Sequence, residues 1–196
     1  MAEKTSVVTP ERFNQGLNYT DYIAQINVNK DQFQSLYDQF QLTPEDAEFF
    51  SKAVQHPDGP AKMLVIGEDW CPDVYRGMPI MARISEASGM EMRVFPRDSH
   101  LDIMNEFLNK GEHMSIPVAV FYTRDHKYIG HWIERPKAAN QERAQIEEQI
   151  KRDLPDADDQ TARTELRTRN RARFPAWQQE SVVEMRQIVA QHLNME

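Results

Sequence analysis

The chain has 196 residues, 40% of them hydrophobic and 28% charged, with a formal net charge of -8 and one cysteine. That length favours one core with appended helices over two independent domains. No apolar run approaches the roughly 20 residues needed to cross a bilayer, the acidic balance argues against generic nucleic-acid binding, and a single cysteine excludes an internal disulfide. The opening Met1-Ala2-Glu3-Lys4-Thr5-Ser6 lacks the apolar stretch of an export signal, so a cytoplasmic location is expected. The sequon Asn18-Tyr19-Thr20 is then expected to stay unmodified.

Taken in chain order, Phe33, Leu36, Tyr37 and Phe40 recur at helical spacing and predict one apolar stripe. A second helix starts at Thr43-Pro44, a capping hydroxyl followed by a proline suited to the first turn, and stops at His56-Pro57-Asp58-Gly59-Pro60. Met63 to Ile66 is a short continuous apolar run, as in a central strand. It leads directly into Glu68-Asp69-Trp70-Cys71-Pro72-Asp73-Val74, and the segment from Val74 to Ser88 reads as a helix ended by Gly89. Met90 to Phe95 predicts a second strand, and Ser99 is placed to cap a helix over about His100 to Asn109. Pro117 to Tyr122 and Tyr128 to Ile133 flank a short polar turn and predict a hairpin. From Lys137 the chain reads as helical, with breaks expected near Leu154-Pro155 and Phe174-Pro175. The residues thus divide into an N-terminal helical extension (1–60), a core (61–136) and a C-terminal helical extension (137–196).

The spacing around the cysteine resembles the thioredoxin superfamily. Domains of that family place Trp-Cys after the central strand, a helix-kinking proline about eight residues beyond the cysteine, and a cis-proline some 45 residues on, before a hairpin. Here those places are Trp70-Cys71, Pro79 and Ile116-Pro117. A proline inside a good helical pattern costs about 3 kcal/mol unless accommodated, and the kinked helix of this family provides the accommodation. The resemblance covers about Ala61 to Pro136, and the flanking helices resemble a bacterial subgroup with a Gly-Glu-Asp-Trp-Cys-Pro-Asp-Val type motif. It implies an α/β thioredoxin-like fold: a four-stranded mixed sheet with helices on both faces, plus N- and C-terminal helical extensions.

Two departures bear on chemistry. Val74 occupies the position of the second, resolving cysteine, and Val65 the position where thioredoxins keep a buried aspartate that assists proton transfer. A mixed disulfide at Cys71 would therefore need an external thiol for its release. The residues leave three readings. In the first, Cys71 is the nucleophile of a monothiol thiol-disulfide oxidoreductase or thiol transferase. Trp70, Pro72, Asp73, Ile116 and Pro117 would then form the substrate groove, and Arg76 and Asp69 would tune the thiolate. In the second, the same groove belongs to a non-catalytic binding or adaptor module. The third is a metal or anion site using Cys71, Asp73 and a nearby histidine, although thiolate and carboxylate at i and i+2 form no recognised ligand spacing. No cofactor or metal is expected, and the expected partner is a protein or a low-molecular-weight thiol or disulfide, with no nucleic acid and no membrane. His100, His113, His126 and His131 are expected at the surface. The five arginines at 163, 167, 169, 171 and 173 follow the acidic Asp153 to Asp159 stretch and read as a solvated helix face pairing locally, with an anionic partner as the alternative.

Overall fold

The computed structural model describes residues 6–195; the N-terminal segment read for an export signal, Met1 to Thr5, lies outside it. Four helices come first: α1 (Pro10–Phe13), α2 (Tyr19–Gln25), α3 (Lys30–Gln39) and α4 (Pro44–Gln55). Thr43 caps α4 by accepting the N–H of Asp46 at 3.1 Å. There follow β1 (Lys62–Gly67), α5 (Pro72–Ser88), β2 (Glu91–Pro96), α6 (Leu101–Met104), β3 (Val118–Tyr122), β4 (Tyr128–Ile133), α7 (Lys137–Asp153) and α8 (Asp159–Leu193). The four strands form one mixed sheet in the order β2-β1-β3-β4, with β1 parallel to β2 and antiparallel to β3, and β3 antiparallel to β4.

Register and alternation decide which helix covers which face. Met63, Val65 and Gly67 of β1 share a face with Ala119 and Phe121 of β3 and with Gly130 and Trp132 of β4. A Cβ on Gly67 would lie 2.8 Å from Val74 and 2.7 Å from Met78, and one on Gly130 would lie 2.6 Å from Ile188. That face is therefore covered by α5 and α8 together. The opposite face carries His131, which packs edge-on against Phe107 just past α6, and Tyr122, which stacks on His126. Leu17 exchanges backbone hydrogen bonds with Val94 and so occupies the outer edge of β2.

Three local expectations are corrected. The helix predicted over His100 to Asn109 is only one turn long. Its cap is His100 rather than Ser99, and the chain tightens into i→i+3 bonds from Glu106 to Ile103 and Phe107 to Met104. This turn buries Phe107 in the core and packs the partly buried Leu108 against it. Pro175 does not break the C-terminal helix, because α8 runs unbroken from Asp159 to Leu193. His100, His126 and His131 are half-buried rather than surface residues: His100 meets the Pro96 carbonyl at 2.8 Å, His126 holds the Val8 carbonyl at 2.8 Å, and His131 meets the Tyr128 hydroxyl at 2.5 Å. No helix of the described residues is long and apolar enough to cross a membrane.

Candidate functional site

Cys71 is the N-cap of α5, with extended backbone (φ -89°, ψ 123°) and Pro72 at the first helical position. Its carbonyl accepts the N–H groups of Val74 and Tyr75, so the side chain is fixed at the mouth of the helix. The thiol is half-buried and directed at the carbonyl of Ile116, 3.8 Å away. The Ile116-Pro117 peptide is cis, and the Pro117 ring packs against Gly77, where a Cβ would come within 3.0 Å. Four of the sequence candidates, Cys71, Pro72, Ile116 and Pro117, are thereby gathered at the junction of α5 with the entry to β3. Trp70 lies beside them, half exposed, with the Arg97 guanidinium 4.9 Å from its ring centre.

Burial pushes the Cys71 thiol above its ordinary value, and the carboxylates of Asp73 and Glu134 push in the same direction. The backbone N–H groups of Val74 and Asp73 oppose this and do not overcome it. The two acids flanking the cysteine have different roles. Asp69 accepts the N–H groups of Asn27 at 2.9 Å and Val28 at 3.2 Å, and so ties the loop before α3 to the site. Asp73 pairs with Arg76 at 3.0 Å and with Arg135 at 2.5 Å.

Arg76 is 1% exposed. Besides Asp73 it reaches the Glu134 carbonyl at 3.2 Å, and its guanidinium carbon lies 5.7 Å from the Phe174 ring centre and 5.5 Å from that of Trp177. Burial pulls its pKa down, and Asp73 works against that pull. Glu134 can offer its carbonyl because its backbone is left-handed (φ 67°), which turns the chain at the end of β4. Val65 and Val74 are fully buried, so apolar packing fills both places where a dithiol site would carry polar groups. Among the described residues, no three His, Cys, Asp or Glu side chains converge as a metal site.

Glu134, Arg135, Phe174 and Trp177 carried no site signal in the sequence, because they reach the thiol's neighbourhood only through the packing of β4 and α8. The arginine run is also only partly self-paired. Arg169 bridges Glu165 and Asp153, Arg173 pairs with Glu142, and Arg171 donates to Gln32. Arg163 and Arg167 form no ion pair among the described residues. Together with Trp70, Pro72 and Asp73 they line a cleft of about 520 Å³ between the start of α5 and α8.

Three comparisons set this chain among known proteins. A family model described as thioredoxin matches residues 16–150. A crystal structure of a protein of unknown function from Pseudomonas aeruginosa superposes with a TM-score of 0.66 at 15% identity, covering 96% of this chain and 99% of that one. The crystal structure of an HIV epitope-scaffold does so with a TM-score of 0.66 at 14% identity, covering 95% of this chain and 99% of that one. At those identities the likeness is one of fold. A search of curated proteins finds no match.

Proposed function

This chain belongs to the thioredoxin family, and from that premise we propose that it is a monothiol thiol-disulfide oxidoreductase or thiol transferase of the subgroup whose Trp-Cys-Pro-Asp-Val motif lacks the second cysteine. The observation that carries the reading is the thiol of Cys71 at the mouth of α5, aimed at the Ile116 carbonyl beside cis-Pro117. A bound segment of extended chain could pair with the backbone there while presenting its sulfur to Cys71. In the forward step, the Cys71 thiolate attacks one sulfur of a disulfide R–S–S–R′. The bond between Cys71 and R–S forms as the old S–S bond breaks, and R′–S⁻ leaves and takes up a proton. An external thiolate R″–S⁻ then attacks R–S, releasing Cys71 and forming R–S–S–R″. Residues 61–136 would be the exchange core, with 1–60 and 137–196 as its helical extensions. A lone unpaired thiol suits a reducing compartment, and we place the reaction in the cytoplasm.

A second reading, a non-catalytic binding module, is favoured by the thiol's raised pKa together with the apolar Val65 and Val74. Reduction of a glutathione-protein mixed disulfide separates the two. The expected outcome is clear turnover by the natural protein and only the uncatalysed rate for Cys71→Ser. Equal rates would overturn the exchange reading and leave the binding one.

A further inference from the structure

We propose that the cleft between the start of α5 and α8 is a binding site for a small organic molecule carrying at least two oxyanion groups, phosphate or carboxylate. Five arginines line it, Arg76, Arg143, Arg163, Arg167 and Arg171, against the single carboxylate of Asp73. That carboxylate is already shared between Arg76 and Arg135. Arg143, Arg163 and Arg167 form no ion pair among the described residues. In a chain with net charge -8, an uncompensated guanidinium cluster in one concave site concentrates positive potential where the rest of the surface repels anions.

Arg76 forms the floor. Although it is 1% exposed, its Nε and Nη1 groups have no hydrogen-bond partner among the described residues. A buried guanidinium with two idle nitrogens is costly, and because its Nη2 is held by Asp73 and the Glu134 carbonyl, Nε and Nη1 would each take a separate oxyanion oxygen. Asn170 Oδ1, also on the cleft wall, is a buried and unpartnered acceptor, which calls for a hydroxyl or N–H donor on the organic body of the ligand. The walls are aromatic: Trp70, Tyr75, Phe174 and Trp177. An inorganic ion would leave that apolar surface unused, whereas an organic body between the rings would cover it. The cavity of about 520 Å³ falls in the range that small ligands fill.

The cleft shares Trp70, Pro72 and Asp73 with the groove beside the thiol, but Cys71 itself does not line it, so binding can be tested without thiol exchange. The test uses the full chain and its Cys71→Ser variant at physiological ionic strength. Each is titrated by calorimetry and by the fluorescence of Trp70 and Trp177 with pyrophosphate, a nucleoside triphosphate and glutathione disulfide. The expected result is saturable one-to-one binding of at least one organic ligand with Kd below about 1 mM in both proteins. Arg163→Gln/Arg167→Gln should weaken it at least about tenfold with the melting temperature unchanged, since both residues are exposed. Binding of the nucleotide assigns the oxyanions to phosphate, and binding of glutathione disulfide alone assigns them to carboxylate. Absence of saturable binding by both organic probes, with or without binding of pyrophosphate, or binding indifferent to the double substitution, overturns the proposal.

Discussion

At Cys71 the loss of water around the sulfur outweighs the two N–H groups that favour its anion, and the Asp73 carboxylate adds to the burial. The thiol is therefore mostly protonated at neutral pH, and its reaction with an alkylating reagent should rise with pH to a midpoint above the ordinary cysteine value of about 8.5. The sign of the Asp73 contribution yields a sharper test. Asp73→Asn removes a negative charge near the sulfur and frees the positive charge of Arg76 and Arg135, and both changes favour the thiolate. The midpoint should move down, and a midpoint that stays in place or rises would show that the Asp73 charge does not act on the sulfur. The same substitution should cost about 2–3 kcal/mol in urea denaturation, because a guanidinium that is 1% exposed loses its counter-charge.

At the scale of the element, two prolines lie inside helices, and local pattern treats them differently. Pro79 sits in a strongly apolar stretch of α5 that packs on the sheet, and its accommodation was legible because the apolar spacing continues past it. Pro175 sits in α8 with polar sequence before it, so propensity alone predicts a break. The helix continues because the residues after the proline are held by tertiary contacts. Trp177 is buried against Arg76, the Gln178 amide donates to the Arg76 carbonyl at 3.0 Å, and Arg186 pairs with Glu45 at 2.8 Å and Asp46 at 3.1 Å. These contacts offset a backbone penalty that persists. Pro175 is exposed, and Pro175→Ala should therefore stabilise the protein by about 1–3 kcal/mol without changing the fold. A decrease in stability would mean that the proline shapes the packing of Phe174 and Trp177.

Across the whole molecule, α8 belongs to the C-terminal extension and packs into the core. It shares the α5 face of the sheet, buries Trp177, Val182, Met185 and Val189, and supplies Glu184 to the Trp132 indole N–H at 2.8 Å. Each such side chain contributes about 1.5–3 kcal/mol on burial, so the four together rival the whole stability of about 5–15 kcal/mol expected of a domain. A chain ending at Pro136 should lose cooperative unfolding and aggregate, as read by thermal melts and size-exclusion chromatography. Recovery of a cooperative, monomeric fold in that fragment would refute this account. The dependence also means that binding studies of the cleft require the full chain, since α7 and α8 supply most of its arginines.

The strands, the helix after Cys71, the hairpin and the three family landmarks could all be read from sequence, because alternation, apolar runs, caps and proline positions are local consequences of backbone geometry and burial. The missing second cysteine was equally plain, and so was the polarity lost at Val65. Other properties depended on residues distant in the chain and were set only by tertiary packing. Folding brings Asp73 between Arg76 and Arg135, takes Arg76 out of water beneath Phe174 and Trp177, and sets Arg163 and Arg167 facing the start of α5. The sign of the Cys71 shift belongs to this second group, because it is a sum of desolvation and charge over neighbours that only the packed structure assembles.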